Sequence, residues 1–304
     1  MPFLKQTSSQ SSSIRYRIRH KTTCTYSSKI QHAQHVLHLD PRPLAWQKIH
    51  LNRIAIEPRP DTLATHLDFF GNPVTYVALE TPHDLLVIGV DFDVEVSERP
   101  MPDYRTTPAW EVVAGDIRNA LRLDAKNANL FSFASTMIPP LPQLRDYALP
   151  SFAPGRPIAE AAHDLICRIH SDFVFDPVAT TIATPLAEVI QNKRGVCQDF
   201  AHLAIGALRA MHLSARYVSG YLRTVPPPGK KRLIGADASH AWLSVWCGGD
   251  TWLDLDPTNG RPGSTDLVTL AWGRDYDDVS PMRGVLIGGG SQKLVVEVDV
   301  EPQA

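Results

Sequence analysis

Cys197 is the position at which residue type and local pattern point most clearly to chemistry. A glycine at position 195 ends one predicted helix, and an apolar helix begins at about Cys197. The unpaired N–H groups and the dipole at the start of a helix favour a thiolate over a thiol. The sequence therefore makes Cys197 a candidate nucleophile, although a cysteine without such a setting is usually a small buried packing residue.

A thiol nucleophile needs a histidine, and the position of each histidine decides which one can serve. His202 follows Cys197 by five residues, which places it about 140° around the same helix. We therefore expect His202 to point away from the thiol. His240 instead begins a predicted strand at residues 240–246, in which His240, Trp242, Ser244 and Trp246 share one face.

An acidic partner for His240 is expected in the next strand. Residues 247–250 (CGGD) have the composition of a hairpin turn and lead into a second strand at residues 251–256. A turn centred near Gly249 places Asp256 opposite Trp242 and one diagonal step from His240. Asp254 would pair about 13 Å along the strand from His240. The register therefore predicts that Asp256, and not Asp254, orients the imidazole.

The resulting set has the composition and order of a thiol-dependent catalytic triad. Cys197 lies on a helix, and His240 and Asp256 follow it on strands. In such sites the thiolate attacks a carbonyl, the imidazole moves protons, and the carboxylate holds the imidazole in place. The three residues are therefore predicted to act on an amide bond.

Six segments of the chain form a distinctive set of motifs: 68–72 (DFFGN), 194–202 (RGVCQDFAH), 215–222 (ARYVSGYL), 238–242 (ASHAW), 255–260 (LDPTNG) and 273–284 (GRDYDDVSPMRG). Together they resemble the bacterial transglutaminase-like proteins of the papain-like cysteine peptidase superfamily, which carry an N-terminal β domain. The resemblance extends over nearly all of residues 14–290. It implies a papain-like α+β core with Cys197 as nucleophile, His240 as general base and acid, and Asp256 as orienting carboxylate.

The chain departs from that pattern at one position. Relatives often carry an aromatic residue with a polar tip in the segment that is 173–176 (FVFD) here, and Phe175 has no donor. The backbone N–H of Cys197 is therefore the expected donor to the oxyanion of an intermediate.

The resemblance leaves the reaction open, because the superfamily includes transglutaminases, peptidases, amide hydrolases and inactive members. We favour hydrolysis of a peptide or amide through an acyl-enzyme on Cys197, because water is everywhere and no lysine-accepting tunnel is identifiable. Protein-glutamine transamidation is the first alternative. A non-enzymatic binding module that keeps the fold is the second, and the intact Cys, His and Asp set argues against it. The expected partner is a peptide or protein substrate.

Metal and cofactor sites are not predicted. The cysteines form no CxxC or His-paired spacing: they are Cys24, Cys167, Cys197 and Cys247. The HxxHxxH pattern fits no regular strand and is expected to place surface histidines at positions 32, 35 and 38. The acidic run at 275–278 lacks the glycine and terminal glutamate of a calcium loop.

The first part of the chain is predicted to be an antiparallel β domain over residues 14–97, after a flexible tail at 1–13. Apolar residues alternate with basic residues over 14–26 and with acidic residues over 86–96. The basic face of one strand and the acidic face of the other would pair well across neighbouring strands.

The rest of the chain is predicted to be a linker and helical connection at 98–157 and a catalytic domain at 158–304. Apolar spacing predicts helices at 158–170, from 184–185 to 195, and from about 197. Strands are predicted at 215–222, 240–246, 251–256 and 294–300. Helices followed by strands indicate an α+β fold class, here an N-terminal β domain followed by a transglutaminase-like core.

Composition excludes several classes of protein. The chain is 43% hydrophobic and 20% charged, which is enough apolar material for a core. The formal net charge of −2 gives no reason to expect nucleic acid or an anionic membrane as partner. No apolar run reaches the roughly 18 residues of a membrane span, and the first residues are polar. We therefore expect a cytoplasmic protein.

Overall fold

The structure is a computed structural model that describes residues 13–224 and 239–303. The first part of the chain folds into five strands. They are β1 (Ser13–Leu37), β2 (Gln47–Glu57), β3 (Thr62–Leu67), β4 (Pro73–Leu79) and β5 (His83–Ser97).

The remaining described residues form seven α-helices and nine further strands. The helices are α1 (Trp110–Asn119), α2 (Leu123–Asn129), α3 (Pro142–Ala148), α4 (Ile158–Asp172), α5 (Leu186–Asn192), α6 (Cys197–Ala210) and α7 (Tyr276–Val279). The strands are β6 (Val174–Phe175), β7 (Arg194–Gly195), β8 (Ala215–Leu222), β9 (Ser239–Trp246), β10 (Trp252–Asp256), β11 (Arg261–Pro262), β12 (Leu267–Gly273), β13 (Met282–Gly288) and β14 (Gln292–Pro302). No helix within 13–224 or 239–303 has the length and apolar character needed to cross a membrane.

Strand β1 is the centre of the N-terminal sheet, in which the order is β2-β5-β1-β4-β3. Its alternating apolar residues are buried, and its basic residues face the acidic residues of β5, as the sequence predicts. Arg15 pairs with Asp93 at 3.2 Å and Arg17 with Asp91 at 2.6 Å. Exposed ion pairs of this kind contribute about 0–1 kcal/mol each, so they favour the register more than they stabilise the fold.

The same sheet also contains the C-terminal strands, which the sequence analysis placed in a catalytic domain at 158–304. Strands β13 and β14 both pair with β1, antiparallel, from Leu37↔Met282 to Tyr16↔Pro302. The sequence pattern identified the strand at 294–300 correctly, but alternation does not specify which sheet a strand joins. The chain therefore returns to its first strand after residues 98–281, which we call the catalytic unit because they contain the predicted catalytic residues, and 282–302 belong structurally to the N-terminal sheet.

The core of the catalytic unit begins before residue 158. Buried residues of α1 to α3, such as Val113, Ala128 and Leu144, belong to the same apolar core as α4 and α6. Helix α6 is buried along almost its whole length, and most of its residues are apolar. It packs on an antiparallel sheet of order β11-β10-β9-β8-β12. This α+β arrangement is the predicted fold class.

The two sheets meet at the outer edge of β12, which pairs with β8 on its other side. The side-chain amide of Gln47 accepts from the Thr269 N–H (2.8 Å) and donates to the Thr269 carbonyl (2.7 Å). Asn72 makes the same pair of bonds with Trp272, at 2.9 and 2.8 Å. These two buried amides occupy backbone groups that an edge strand would otherwise leave unpaired. They therefore fix the N-terminal sheet against the catalytic unit.

Candidate active site

The nucleophile candidate, Cys197, is the first residue of the 14-residue helix α6. Asp199 fixes this helix end, because its carboxylate accepts from the Val196 N–H at 2.8 Å and from the Thr180 hydroxyl at 2.6 Å. Gly195 gives the carboxylate room, since a Cβ there would lie 2.6 Å from the Asp199 Oδ2 atom. The partly exposed thiol of Cys197 therefore lies at a helix N-terminus that is rigidly capped.

The β9–β10 hairpin has the register that the sequence predicts. Asp254 pairs with Ser244 and Leu255 pairs with Leu243, so the next residue, Asp256, lies beside Trp242. From there its Oδ2 atom is 2.9 Å from the Nε2 atom of His240. The structure therefore brings His240 and Asp256 together through the hairpin alone.

The Asp256 carboxylate is completely buried and is saturated with donors. Its Oδ1 atom accepts from the backbone N–H groups of Thr258 (3.0 Å) and Asn259 (3.2 Å). Its Oδ2 atom accepts from the Asn259 side chain at 2.7 Å and from His240. Burial raises the pKa of Asp256, but the hydrogen bonds and charge of His240 and the bonds from Asn259 outweigh it and lower the pKa overall. Asp256 is therefore a fixed carboxylate anion.

His240 connects this carboxylate to the thiol. Burial acts to lower the pKa of His240, yet hydrogen bonds to Asp256 and Cys197 and the charges of both raise it to about 10. Because Nε2 is bound to Asp256, Nδ1 is the nitrogen available to the Cys197 sulfur. His240 is thus hydrogen-bonded to Asp256 on one side and shares a cleft with the Cys197 thiol on the other.

His202 does not join this chain, in agreement with its predicted direction. Its buried Nε2 atom accepts from the backbone N–H of Tyr276 at 3.2 Å, and its ring lies 5.1 Å from that of Tyr217. Burial lowers the pKa of His202 to about 4, so it remains a neutral acceptor at neutral pH. Its contact positions the start of α7 beside the site.

Asp254 is also used elsewhere, as the register predicts. It forms a buried ion pair with Arg99, with 3.0 Å between Arg99 Nε and Asp254 Oδ2. The indole N–H of Trp242 donates to the same oxygen at 3.3 Å. Asp254 therefore attaches the segment after β5 to the catalytic sheet.

The segment that lacks a polar-tipped aromatic lies in β6. Phe175 is 54% exposed and supplies no donor to the site. The cleft that Cys197 and His240 line also contains Gln198. Gln198 directly follows Cys197 in the sequence, and this position could have predicted a polar group near the thiol. Sequence reasoning also missed His20, Thr22, Leu294 and Val296 of the N-terminal sheet, which line the same cleft.

Two of the residues considered as metal ligands, His38 and Asp275, have hydrogen-bond partners within the protein. His35 and His38 are buried, so the expectation that both lie on the surface was wrong. His38 contacts the Ser280 carbonyl at 3.1 Å and the Asp68 carboxylate at 3.3 Å. Asp275 caps α7 by accepting from the Asp277 N–H at 3.0 Å. Over 13–224 and 239–303 no three His, Cys, Asp or Glu side chains are grouped to hold a metal ion.

Comparison with known proteins agrees with this architecture. Residues 16–95 match the family model of the bacterial transglutaminase-like N-terminal region, and residues 147–257 match that of the transglutaminase-like superfamily. The chain is similar to an uncharacterized protein of Mycobacterium tuberculosis, at 40% identity over 301 residues that cover 95% of this chain and 93% of that protein.

Two more distant similarities concern named proteins. A protein-glutamine gamma-glutamyltransferase of Pseudomonas aeruginosa is 28% identical over 140 residues, which cover 40% of this chain and 21% of that protein. A crystal structure of a candidate cysteine protease from Cytophaga hutchinsonii is 18% identical and has a TM-score of 0.74, covering 97% of this chain and 92% of that chain. The similarity to the C. hutchinsonii structure extends over both sheets and shows that the two chains share a fold. The chain belongs to the transglutaminase-like superfamily and carries the bacterial N-terminal region of that family ahead of the superfamily core.

Proposed function

We propose that the protein is a thiol-dependent enzyme that hydrolyses an amide bond of a peptide or protein through an acyl-enzyme on Cys197. One observation carries the proposal: the buried Asp256 carboxylate holds the His240 imidazole by a 2.9 Å hydrogen bond in the same cleft that the Cys197 thiol lines at the start of α6. This is the geometry that nucleophilic catalysis by cysteine requires.

The first half of the reaction transfers the acyl group to the enzyme. The Cys197 thiolate attacks the amide carbonyl and forms a C–S bond, and the oxyanion lies toward the backbone N–H of Cys197. His240 then donates its Nδ1 proton to the leaving nitrogen as the C–N bond breaks. The products of this half-reaction are a free amine and a thioester on Cys197, with neutral His240.

The second half releases the acid. Water attacks the thioester carbonyl, and His240 takes one proton from it as general base. The C–S bond then breaks, so the carboxylic acid leaves and the thiolate–imidazolium pair is restored. Asp256 keeps the imidazole in one orientation throughout, because its other hydrogen bonds hold it in place.

Labelling of Cys197 tests the proposal directly. Iodoacetamide at near-neutral pH is expected to modify Cys197 faster than the other three cysteines. Burial raises the pKa of Cys24, Cys167 and Cys247, for Cys247 to about 12. Peptide mapping after timed labelling measures the rates, and His240→Ala is expected to slow the labelling of Cys197. Equal rates at all partly exposed cysteines would contradict the proposal.

Hydrolysis is preferred over transamidation because of the lining of the cleft. Among the described residues that line it, none is Asp or Glu, so no carboxylate there would attract the ammonium group of a lysine. Transamidation needs a bound amine and the exclusion of water. The similarity to the P. aeruginosa glutamyltransferase keeps transamidation as the alternative.

A single reaction separates the alternatives. Peptide substrates are incubated with a labelled primary amine at millimolar concentration, and mass spectrometry follows both free acid and amine adduct. Free acid is expected to exceed the adduct, and Cys197→Ala is expected to form neither. An excess of adduct would make transamidation the function, and no product from a broad peptide library would favour a binding module.

A further inference from the structure

The cleft at Cys197 has a second wall that the catalytic unit does not provide. The cleft has a volume of about 450 Å³, within the range typical of small-molecule sites. The catalytic unit supplies Cys197 and His240, and the N-terminal sheet supplies residues of β1, β13 and β14. A substrate that reaches the thiol therefore lies against the N-terminal sheet.

We propose that Leu294 and Val296 of this wall form a specificity subsite that selects apolar, uncharged side chains next to the reacting carbonyl. The inference rests on the proposed function and goes beyond it, because it names the chemical class of the substrate. It also gives the N-terminal sheet a direct role in substrate choice.

The strand register shows which side chains of β14 can take part. Leu294 pairs with Cys24, and Val296 pairs with Thr22, so both lie on the face of the sheet toward the cleft. Val295 pairs with Thr23 and lies on the opposite face. Leu294 is 52% exposed and Val296 is 46% exposed. Both are thus apolar surfaces inside a reactive cleft that a substrate side chain would cover.

The charge of the cleft lining also favours an apolar substrate side chain. None of its seventeen described lining residues is Asp, Glu, Lys or Arg. His20, which lines the wall, has its nitrogens 2.8 Å from the Thr22 hydroxyl and 2.8 Å from the Tyr221 hydroxyl. Burial lowers the pKa of His20 to about 4, so it is neutral at neutral pH.

A charged substrate side chain would therefore lose water in this cleft and gain no ionic partner among the described lining residues, because His240 is already paired with Asp256. An apolar side chain has no such hydration to lose, and it covers the exposed surfaces of Leu294 and Val296. The discrimination expected from one such pocket is on the order of 10- to 100-fold.

Three peptidyl chloromethyl ketones test the subsite with the whole protein. They carry Leu-Leu, Lys-Lys or Asp-Asp before the same electrophile, so the ratio of their rates at Cys197 reports side-chain preference alone. The Leu-Leu probe is expected to label Cys197 at least 10-fold faster than either charged probe. Val296→Asp is expected to reduce the Leu-Leu to Lys-Lys ratio at least 10-fold, because it adds an anion to the wall.

Val295→Asp is the matched control, since it places the same charge on the same strand but on the other face. It is expected to leave the ratio unchanged. Equal rates for the three probes, or equal effects of Val296→Asp and Val295→Asp, would overturn the subsite while rapid iodoacetamide labelling of Cys197 still supported the proposed chemistry. Slow labelling of Cys197 by iodoacetamide and by every probe would instead overturn the proposed function.

Discussion

At the scale of single residues, Asp256 has one functional bond and three bonds that hold it in position. Donors from Thr258 and Asn259 occupy the carboxylate on the sides that do not face His240. Asp256 is therefore a positioning residue in the proposed mechanism, and its negative charge also supports the imidazolium form of His240. Both roles depend on the carboxylate and would be lost in an isosteric amide.

We expect Asp256→Asn to reduce kcat on the order of 10²- to 10⁴-fold, because the amide presents a different hydrogen-bond pattern to His240 and removes the charge. Asp254→Asn is the control, since Asp254 pairs with Arg99 and is expected to affect kcat much less. Rates of free-acid release from one peptide substrate provide the measurement. A larger loss in Asp254→Asn would mean that the carboxylate assignment is wrong.

The raised pKa of His240 also predicts how stability depends on pH. His240 has a pKa of about 10 in the folded protein against an ordinary value of 6.5. A raised pKa contributes stability that is fully present below 6.5 and is lost as the pH rises through about 10. The lowered pKa of Asp256 has the opposite effect on stability. Its contribution to the free energy of unfolding is lost as the pH falls through the pKa of Asp256 in the folded protein.

Melting temperatures between pH 6 and pH 10.5 test this dependence. The difference between wild type and His240→Gln is expected to shrink by a few °C over that range, since the variant has no group that titrates there at position 240. Subtracting the melting temperature of the variant from that of wild type at each pH removes the contribution of the other titrating groups. A difference that stays constant or grows with pH would contradict an imidazolium in the folded protein.

At the scale of elements, the start of α6 depends on a glycine as well as on the cysteine. The carboxylate of Asp199 caps the helix from a position that a Cβ at Gly195 would enter, at 2.6 Å from Oδ2. The sequence predicted where α6 begins, because Gly195 and the apolar spacing mark it. It did not reveal the cap, because nothing in the sequence indicates that Asp199 turns back onto Val196.

Gly195→Ala is expected to displace this cap and lower the free energy of unfolding by about 1–2 kcal/mol, which is the typical value of an N-cap. Because Cys197 lies within the capped turn, its iodoacetamide rate should fall as well. Gly115→Ala is a suitable control, since no atom lies within 4 Å of a Cβ there and it is inside helix α1. Urea unfolding and timed labelling measure both effects, and identical behaviour of the two variants would remove the argument.

At the scale of the whole molecule, local pattern predicted parts of the fold and could not predict others. The β9–β10 register followed from a short turn centred near Gly249, because the paired strands are adjacent in sequence. The pairing of β14 with β1 joins residues more than 260 positions apart, such as Tyr26 and Gln292, and no turn determines it. For the same reason the sequence could suggest Cys197, His240 and Asp256 as candidate site residues but not Leu294 and Val296, which line the same cleft. Their place in the cleft is a consequence of the long-range pairing.

The contact between the two sheets therefore determines the shape of the cleft. A substitution of Gln47, which bonds to Thr269 across this contact, tests how much the contact stabilises the protein. Thr269 is buried, and its N–H donates to the Gln47 side chain. Gln47→Ala leaves this N–H without its partner, which is expected to cost about 1–3 kcal/mol in the free energy of unfolding. The exposed Gln34 on β1 provides a control, because Gln34→Ala is expected to stay within about 0.5 kcal/mol of wild type. If Gln47→Ala and Gln34→Ala unfold at the same urea concentration, the side-chain pairing at β12 does not hold the sheets together.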